Sequence, residues 1–278
     1  MKNNISNYIS PQELKLISNN DRQWLSEVFQ RYEGYPDLNQ LWSLMNEPWN
    51  NLGCNPNFID TKIDAYYAHP VWLLNGLFIE QHYKSLENRS TFKDWVVGVN
   101  PSRLAEFGGG FGGLARLIGG ALPALSIDIV EPHPHLIAIE RANKTSNVRY
   151  KASLEGNYDV IIATDVFEHV PDPLKILYET SQHLKIGGKY LIANCFLPVI
   201  HCHLPQTFHF RNSWDIALKA MGMIPAEKVA YGRVYIRGES LNIEAARHIE
   251  NISVRNWKYL KYVPFRLANA FTKVFFNT

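Results

Sequence analysis

The stretch AEFGGGFGGLA, Ala105 to Ala115, carries five glycines and one carboxylate between an apolar run, Arg103–Phe107 (RLAEF), and a second one, Leu114 to Ile118. The first run reads as a buried strand and the second as the start of a helix. The spacing Gly108-x-Gly110-x-x-Gly113 satisfies the GxGxxG pattern, in which bare backbone turns tightly and approaches a ligand at a helix N-terminus. Taken alone, the same glycines equally describe a turn that packs a helix closely on a strand. Glu106 separates the ligands. A carboxylate at the end of the strand is badly placed beside an anionic pyrophosphate and well placed beside a ligand that carries an ammonium and a sulfonium, as S-adenosylmethionine does.

Downstream of this stretch the chain alternates: LSIDIV as strand, PHLIAIERAN as helix, NVRYK and YDVIIAT as strands, DPLKILYETSQHL as helix, KYLIANCF as strand and NSWDIALKAMG as helix. Such alternation predicts a mainly parallel, doubly wound sheet covered on both faces. EKVAYGRVYIRGE reads as a closing antiparallel hairpin, which brings the sheet to seven strands with an antiparallel last strand. Upstream, from Pro11 to about Asp94, apolar and aromatic residues (Trp24, Phe29, Tyr32, Leu41, Trp42, Leu44) recur near period 3.6, broken by turn chemistry at EGYPD and NEPWNNLGCNPN. The predicted organisation is an α/β fold with an N-terminal helical cap: residues 1–95 as cap and substrate lid, 96–245 as the ligand-binding domain, and 246–278 as a basic, aromatic tail.

Composition narrows the function. A net charge of +2 over 278 residues lacks the basic excess that phosphate-tracking surfaces use, so no nucleic-acid partner is expected. Three cysteines, Cys54, Cys195 and Cys202, are too scattered for a disulfide framework. The N-terminal residues lack the apolar core of a signal peptide, and no run approaches the ~20 apolar residues of a membrane span. The expectation is a cytoplasmic protein with a small-molecule partner.

With Glu106 followed by Gly108, Gly110 and Gly112, the sequence resembles the class I S-adenosylmethionine-dependent methyltransferases. The resemblance continues in order through Glu131 at the end of the second strand, through Tyr158–Pro173 (YDVIIATDVFEHVPDP), and through Leu184–Asn194 (LKIGGKYLIAN), where Ile186 stands in place of a usual proline. It covers roughly residues 101 to 240. It implies S-adenosyl-L-methionine as cofactor, with Gly108, Gly110 and Gly112 facing its methionine part, Glu106 reaching its amino group, and Glu131, followed by Pro132, holding the ribose. Asp128, earlier in the same strand, is the lesser candidate. Ser153 and Leu154 fall where relatives contact the adenine. Thr164 and Asp165 border cofactor and substrate, and Glu168-His169 shapes that border or serves the substrate.

Methyl transfer to a hydroxyl also requires a proton acceptor, and histidine suits that task at neutral pH. FLPVIHCHLPQTFHF, Phe196 to Phe210, gathers His201, His203 and His209. Three readings stand open: ordinary loop histidines, with His209 the residue that relatives often carry before the next helix; a general base at His201 or His203; or a metal held by His201, His203 and His209. From the cap, DAYYAHPVWLLNGLF (Asp64–Phe78) offers Tyr66, Tyr67 and His69 as substrate contacts, with Trp72 and Leu73 as core. The expected activity is O-methylation of a small-molecule or saccharide-like acceptor. N-methylation, a non-catalytic scaffold and a nicotinamide-dependent oxidoreductase are the alternatives. The tail SVRNWKYLKYVPFRLANAFTKVFFNT interleaves basic and aromatic residues, which suits either a packed terminal helix or peripheral membrane contact.

Overall fold

The computed structural model describes residues 8–57 and 60–260. Seven strands form one sheet in the order β3-β2-β1-β4-β5-β7-β6. Pairing is parallel from β1 (Arg103–Phe107) to β2 (Ser126–Val130) and from β2 to β3 (Val148–Lys151). It is parallel again from β4 (Tyr158–Thr164) to β5 (Leu184–Ala193). The last strand, β7 (Gly232–Arg237), runs antiparallel to both β5 and β6 (Met223–Val229). The doubly wound sheet with an antiparallel last strand is thus the observed fold. The described residues divide into two compact units, drawn from Met1–Ser153 with Val199–Cys202 and from Leu154–Pro198 with His203–Thr278.

In the first unit six helices precede the sheet: α1 (Pro11–Leu14), α2 (Asn19–Arg31), α3 (Leu38–Asn51), α4 (Thr61–Tyr67), α5 (Pro70–Ile79) and α6 (Tyr83–Val99). Each of the first three starts on a residue whose side chain accepts a backbone N–H of the first turn: Ser10, Ser18 and Asp37. The break expected from Asn46 comes later. Pro48 lies inside α3, where it costs the ladder one N–H and crowds the preceding turn, yet the burial of Leu41, Leu44, Met45 and Trp49 carries the helix on to Asn51. The expected cap boundary at 95/96 likewise falls inside α6.

Helices α7 (Gly113–Ala121) and α8 (Leu136–Asn143) cross between the strands of this unit. Asp128, fully buried in β2, accepts from Arg149 at 2.7 Å and from Arg103 at 3.2 Å. A second charged group joins the cap to these helices: Glu80 accepts from both Arg116 and Arg141, and Arg141 reaches Glu13 at 2.8 Å and the Tyr8 carbonyl at 3.0 Å. The hydrogen bond from Arg141 holds the Glu13 carboxyl down at about 2 despite its burial.

In the second unit β4 and β5 flank α9 (Pro173–Ser181), and α10 (Phe210–Met221) leads into the β6–β7 hairpin. β5 starts earlier than expected, at Leu184, and ends before Asn194. The segment expected as a tail from 246 begins instead inside α11 (Ile243–Leu260), whose Ala246 and Ser253 are buried. Ser253 joins Ser213 of α10 at 2.7 Å. Residues 261–278 lie outside the described residues. Among the described residues no helix is long and apolar enough to cross a membrane.

The placement of α7 turns on one side chain. The Asn147 amide nitrogen donates to the carbonyls of Leu125 (2.7 Å), Leu122 (2.9 Å) and Gly119 (3.3 Å), holding the C-terminal end of α7 against the start of β2. Asn147→Ala removes this donor from the three carbonyls, of which that of Leu122 keeps an N–H from Leu125, and is expected to cost about 1–3 kcal/mol, read from the midpoint of urea unfolding.

Candidate active site

The glycine turn follows β1 directly. Gly108, Gly110 and Gly112 all take positive φ (66°, 50° and 67°), a region that L side chains enter at a cost. At Gly112 a Cβ would also lie 2.8 Å from Ile129 and 2.9 Å from the Tyr150 hydroxyl, whereas at Gly110 it would meet nothing within 4 Å. The turn is therefore packed from below at Gly112 and open at Gly110, and Gly112 caps α7 at the helix end that attracts negative charge. Phe111 points into the cap, where a Cβ on Gly76 of α5 would stand 2.6 Å from its ring.

Glu106 lies buried beneath this turn. Its Oε2 accepts the Ala115 N–H at 3.0 Å. Burial pushes its carboxyl up to about 8 and Glu131 adds to the rise, while the Ala115 N–H and the Arg89 guanidinium act against it. Glu131 accepts the Gly110 N–H at 2.9 Å and the His133 N–H at 3.1 Å, one on each carboxylate oxygen. Exposed Pro132 stands between Glu131 and His133. Tyr150 donates to the Gly110 carbonyl at 2.9 Å. An open Gly110, a carboxylate beside its N–H and a buried carboxyl in search of a cation together fit a ligand with ribose hydroxyls and an ammonium group.

The cap residues divide. Tyr67 of α4 stacks on His133 (6.0 Å between centroids, 8° between planes), adjoining Glu131. Tyr66 is fully buried against Trp49, and its hydroxyl donates to the Cys202 sulfur at 3.4 Å, so it is core and not a substrate contact. His69 caps α5 by accepting the Val71 N–H and packs against Trp24, a structural post. Ser153 is exposed at the end of the unit.

In the second unit, Leu154 is buried and Thr164 half-buried at the end of β4. Asp165 follows with φ 53° and accepts from the Tyr231 hydroxyl at 2.8 Å. Although Asp165 is exposed, the surrounding protein mass holds its carboxyl above the usual range, and the Tyr231 bond pulls the other way. Glu168 is wholly buried. One of its oxygens accepts the Cys195 N–H at 2.7 Å and the other has no partner. Burial, reinforced by Asp165, raises its carboxyl.

The three loop histidines do not form one group. His201, exposed, is held through its backbone N–H by Asn46 (2.8 Å) and through its ring by Asn50 (2.9 Å). His209 is buried with Nδ1 3.1 Å from the Ser253 hydroxyl, and burial lowers it to about 4. It therefore braces α11 rather than serving as base or ligand. His203, buried, directs Nδ1–H at the Leu197 carbonyl (2.7 Å) and meets His169 edge-on, with centroids 4.7 Å apart. Burial lowers its pKa, opposed by the Leu197 and Cys195 carbonyls, so the ring is neutral at neutral pH with a lone pair on Nε2. The expected trio of His201, His203 and His209 is replaced by Glu168, His169 and His203, which each offer one ligand atom within 4.8 Å of the others. Tyr150 in β3 and Tyr231 in the β6–β7 turn carry no sequence signal: each is tied in by one hydroxyl, to the Gly110 carbonyl and to Asp165, and neither sits in a motif.

Residues 105–190 match a family model described as a methyltransferase domain. The chain is 27% identical over 148 residues to phosphoethanolamine N-methyltransferase 2 of Caenorhabditis elegans, an alignment that covers 49% of this chain and 32% of the relative. The chain thus spans about a third of that relative's length. In fold it is similar to human N-acetylserotonin methyltransferase in complex with S-adenosylmethionine (TM-score 0.50, 15% identity, 71% of this chain and 66% of that chain). It is also similar to an O-methyltransferase family protein from Burkholderia thailandensis (TM-score 0.51, 14% identity, 72% and 70%). Residues 105–190 thus carry a methyltransferase-domain match, within a fold that is similar to those of solved methyltransferases.

The protonated state of Glu106 has a measurable consequence. A bound ammonium favours the carboxylate, so ligand binding expels the proton that Glu106 holds below about 8. Affinity for S-adenosylhomocysteine is expected to rise from pH 6 to pH 8, approaching tenfold per pH unit. Titration calorimetry across this range checks the slope, which Glu106→Gln should flatten.

Proposed function

We propose that the chain methylates a hydroxyl of a small-molecule or saccharide-like acceptor, with His203 activating that oxygen. Bound S-adenosylmethionine supplies a methyl group made electrophilic by its sulfonium. Glu106 and Glu131 bind and orient the cofactor through its ammonium and ribose, with Pro132, Ser153, Leu154 and Thr164 as flanking contacts. The reading rests on one observation above all: a buried histidine whose Nδ1–H is given to a backbone carbonyl, beside a buried carboxylate with an unpartnered oxygen. A hydroxyl must lose a proton to attack, whereas a neutral amine need not before it attacks, so this grouping has more use for an oxygen acceptor. Tyr67, on His133, is the cap residue that remains a substrate or cofactor contact.

His203→Ala is expected to keep S-adenosylhomocysteine affinity and to lose roughly 10²–10⁴-fold in turnover, while His201→Ala turns over near the wild-type rate. Methyl-labelled cofactor and a panel of hydroxyl and amine acceptors supply the assay. Wild-type turnover by the His203 variant would end the reading. N-methylation is favoured by the name of the Caenorhabditis elegans relative, and methyl incorporation into amines alone would select it.

The residues after Leu260 bring Lys261, Arg266 and Lys273 together with Tyr262, Phe265, Phe271, Phe275 and Phe276, a composition that suits the headgroup layer of an anionic membrane. Because Ser253 belongs to the packing of α11, the informative truncation ends after Leu260. Full-length protein should co-sediment with anionic vesicles and the truncated form should not; equal partitioning would remove membrane contact from the proposal.

A further inference from the structure

Glu168, His169 and His203 lie within the second unit, two of them buried and His169 half-buried, with one potential ligand atom each inside a span of 4.8 Å. Packing explains the edge-on contact of the two imidazoles. It does not explain Glu168. A residue with no exposed surface has one carboxylate oxygen bound to the Cys195 N–H and the other without a partner, and buried polar atoms in folded proteins are nearly always satisfied. The same residue also anchors the loop, since its backbone carbonyl accepts the Leu204 N–H at 2.8 Å. The histidine loop is thereby pinned over the carboxylate.

The histidine chemistry points the same way. With Nδ1–H given to the Leu197 carbonyl, His203 is held in the tautomer that leaves Nε2 as a lone-pair donor, the outer bond that metal-ligating histidines characteristically make. From this geometry we infer that Glu168, His169 and His203 hold a divalent transition-metal ion, Zn²⁺ or one of similar preference. Two imidazoles and one carboxylate are a nitrogen-rich set that suits zinc or iron better than magnesium, which prefers oxygen ligands and retained water. Three protein ligands leave a coordination position open, the arrangement of catalytic rather than structural sites. On the methyl-transfer reading, the open position would take the acceptor oxygen; with Nε2 of His203 on the metal, the ion rather than the free ring would acidify that hydroxyl, its proton passing to water.

The test uses the full-length protein stripped of metal by a chelator and titrated with Co²⁺, whose visible absorption reports its ligands, followed by Zn²⁺. The expected result is one Co²⁺ per chain, displaced by one Zn²⁺. Glu168→Gln, His169→Ala and His203→Ala should each weaken binding at least about tenfold, the least that losing even an outer-shell partner costs. Absence of stoichiometric Co²⁺ and Zn²⁺ binding by the wild-type protein would overturn the inference, as would undiminished binding in all three variants. Calorimetry with S-adenosylhomocysteine on the same samples reports whether each variant is folded. It also separates the two claims: cofactor binding without metal binding sinks only the metal site, and metal binding without cofactor binding sinks only the methyl-transfer reading.

Discussion

A carboxyl group buried beneath a turn that only glycines can make is the constraint from which the first unit follows. Glu106 has lost its water, keeps one backbone N–H from Ala115 and sits under Gly109, where a Cβ would come within 3.0 Å of its side chain. The turn above it must be glycine for space and for positive φ together. Its open face then combines peptide N–H groups with the Glu131 carboxylate, above the buried Glu106 carboxyl, a mixture that suits a ligand cationic at one end and rich in hydroxyls at the other. Glu131 already engages the Gly110 and His133 N–H groups, so a ribose that claims this carboxylate exchanges hydrogen bonds and does not create them from nothing.

That turn is held from the side as well. Gly76 in α5 leaves a socket for Phe111, and Arg141 lies over the same ring at 5.3 Å while binding Glu80 and Glu13. The cap is therefore part of the scaffold of the glycine turn, through an apolar plug and a charged network in which each arginine answers a half-buried or buried carboxylate. Removing one member of such a network leaves its partner's charge desolvated, which costs more than the network itself contributes.

The second unit solves a different problem. Asp165 and Glu168 place two acidic groups three residues apart, and the burial of Glu168 together with their repulsion opposes joint ionisation. The Tyr231 hydroxyl and the Cys195 N–H relieve part of that cost, leaving one Glu168 oxygen unanswered. Meanwhile His209 and Ser253 consume the third loop histidine in fixing α11. One loop thus spends its histidines on different tasks: one on helix packing, one on the carboxylate cluster, one on the asparagines of α3.

What could be read from the sequence was whatever repeats locally or needs a special backbone. Strand and helix periodicity predicted the seven-stranded sheet and its antiparallel end, and the spacing of Glu106, the glycines and Glu131 pointed to the cofactor, because backbone conformation and charge type are properties of short segments. Composition did not assign roles among like residues. His201, His203 and His209 are equivalent in sequence, and Tyr66 differs from Tyr67 by one position. Their separation, with Tyr66 in the core and Tyr67 on His133, and with His203 beside Glu168 and His209 against Ser253, depends on what a side chain meets more than 20 residues away. Burial and hydrogen-bond satisfaction are decided only when distant segments close around a group, and for that reason the tertiary structure alone chose among them.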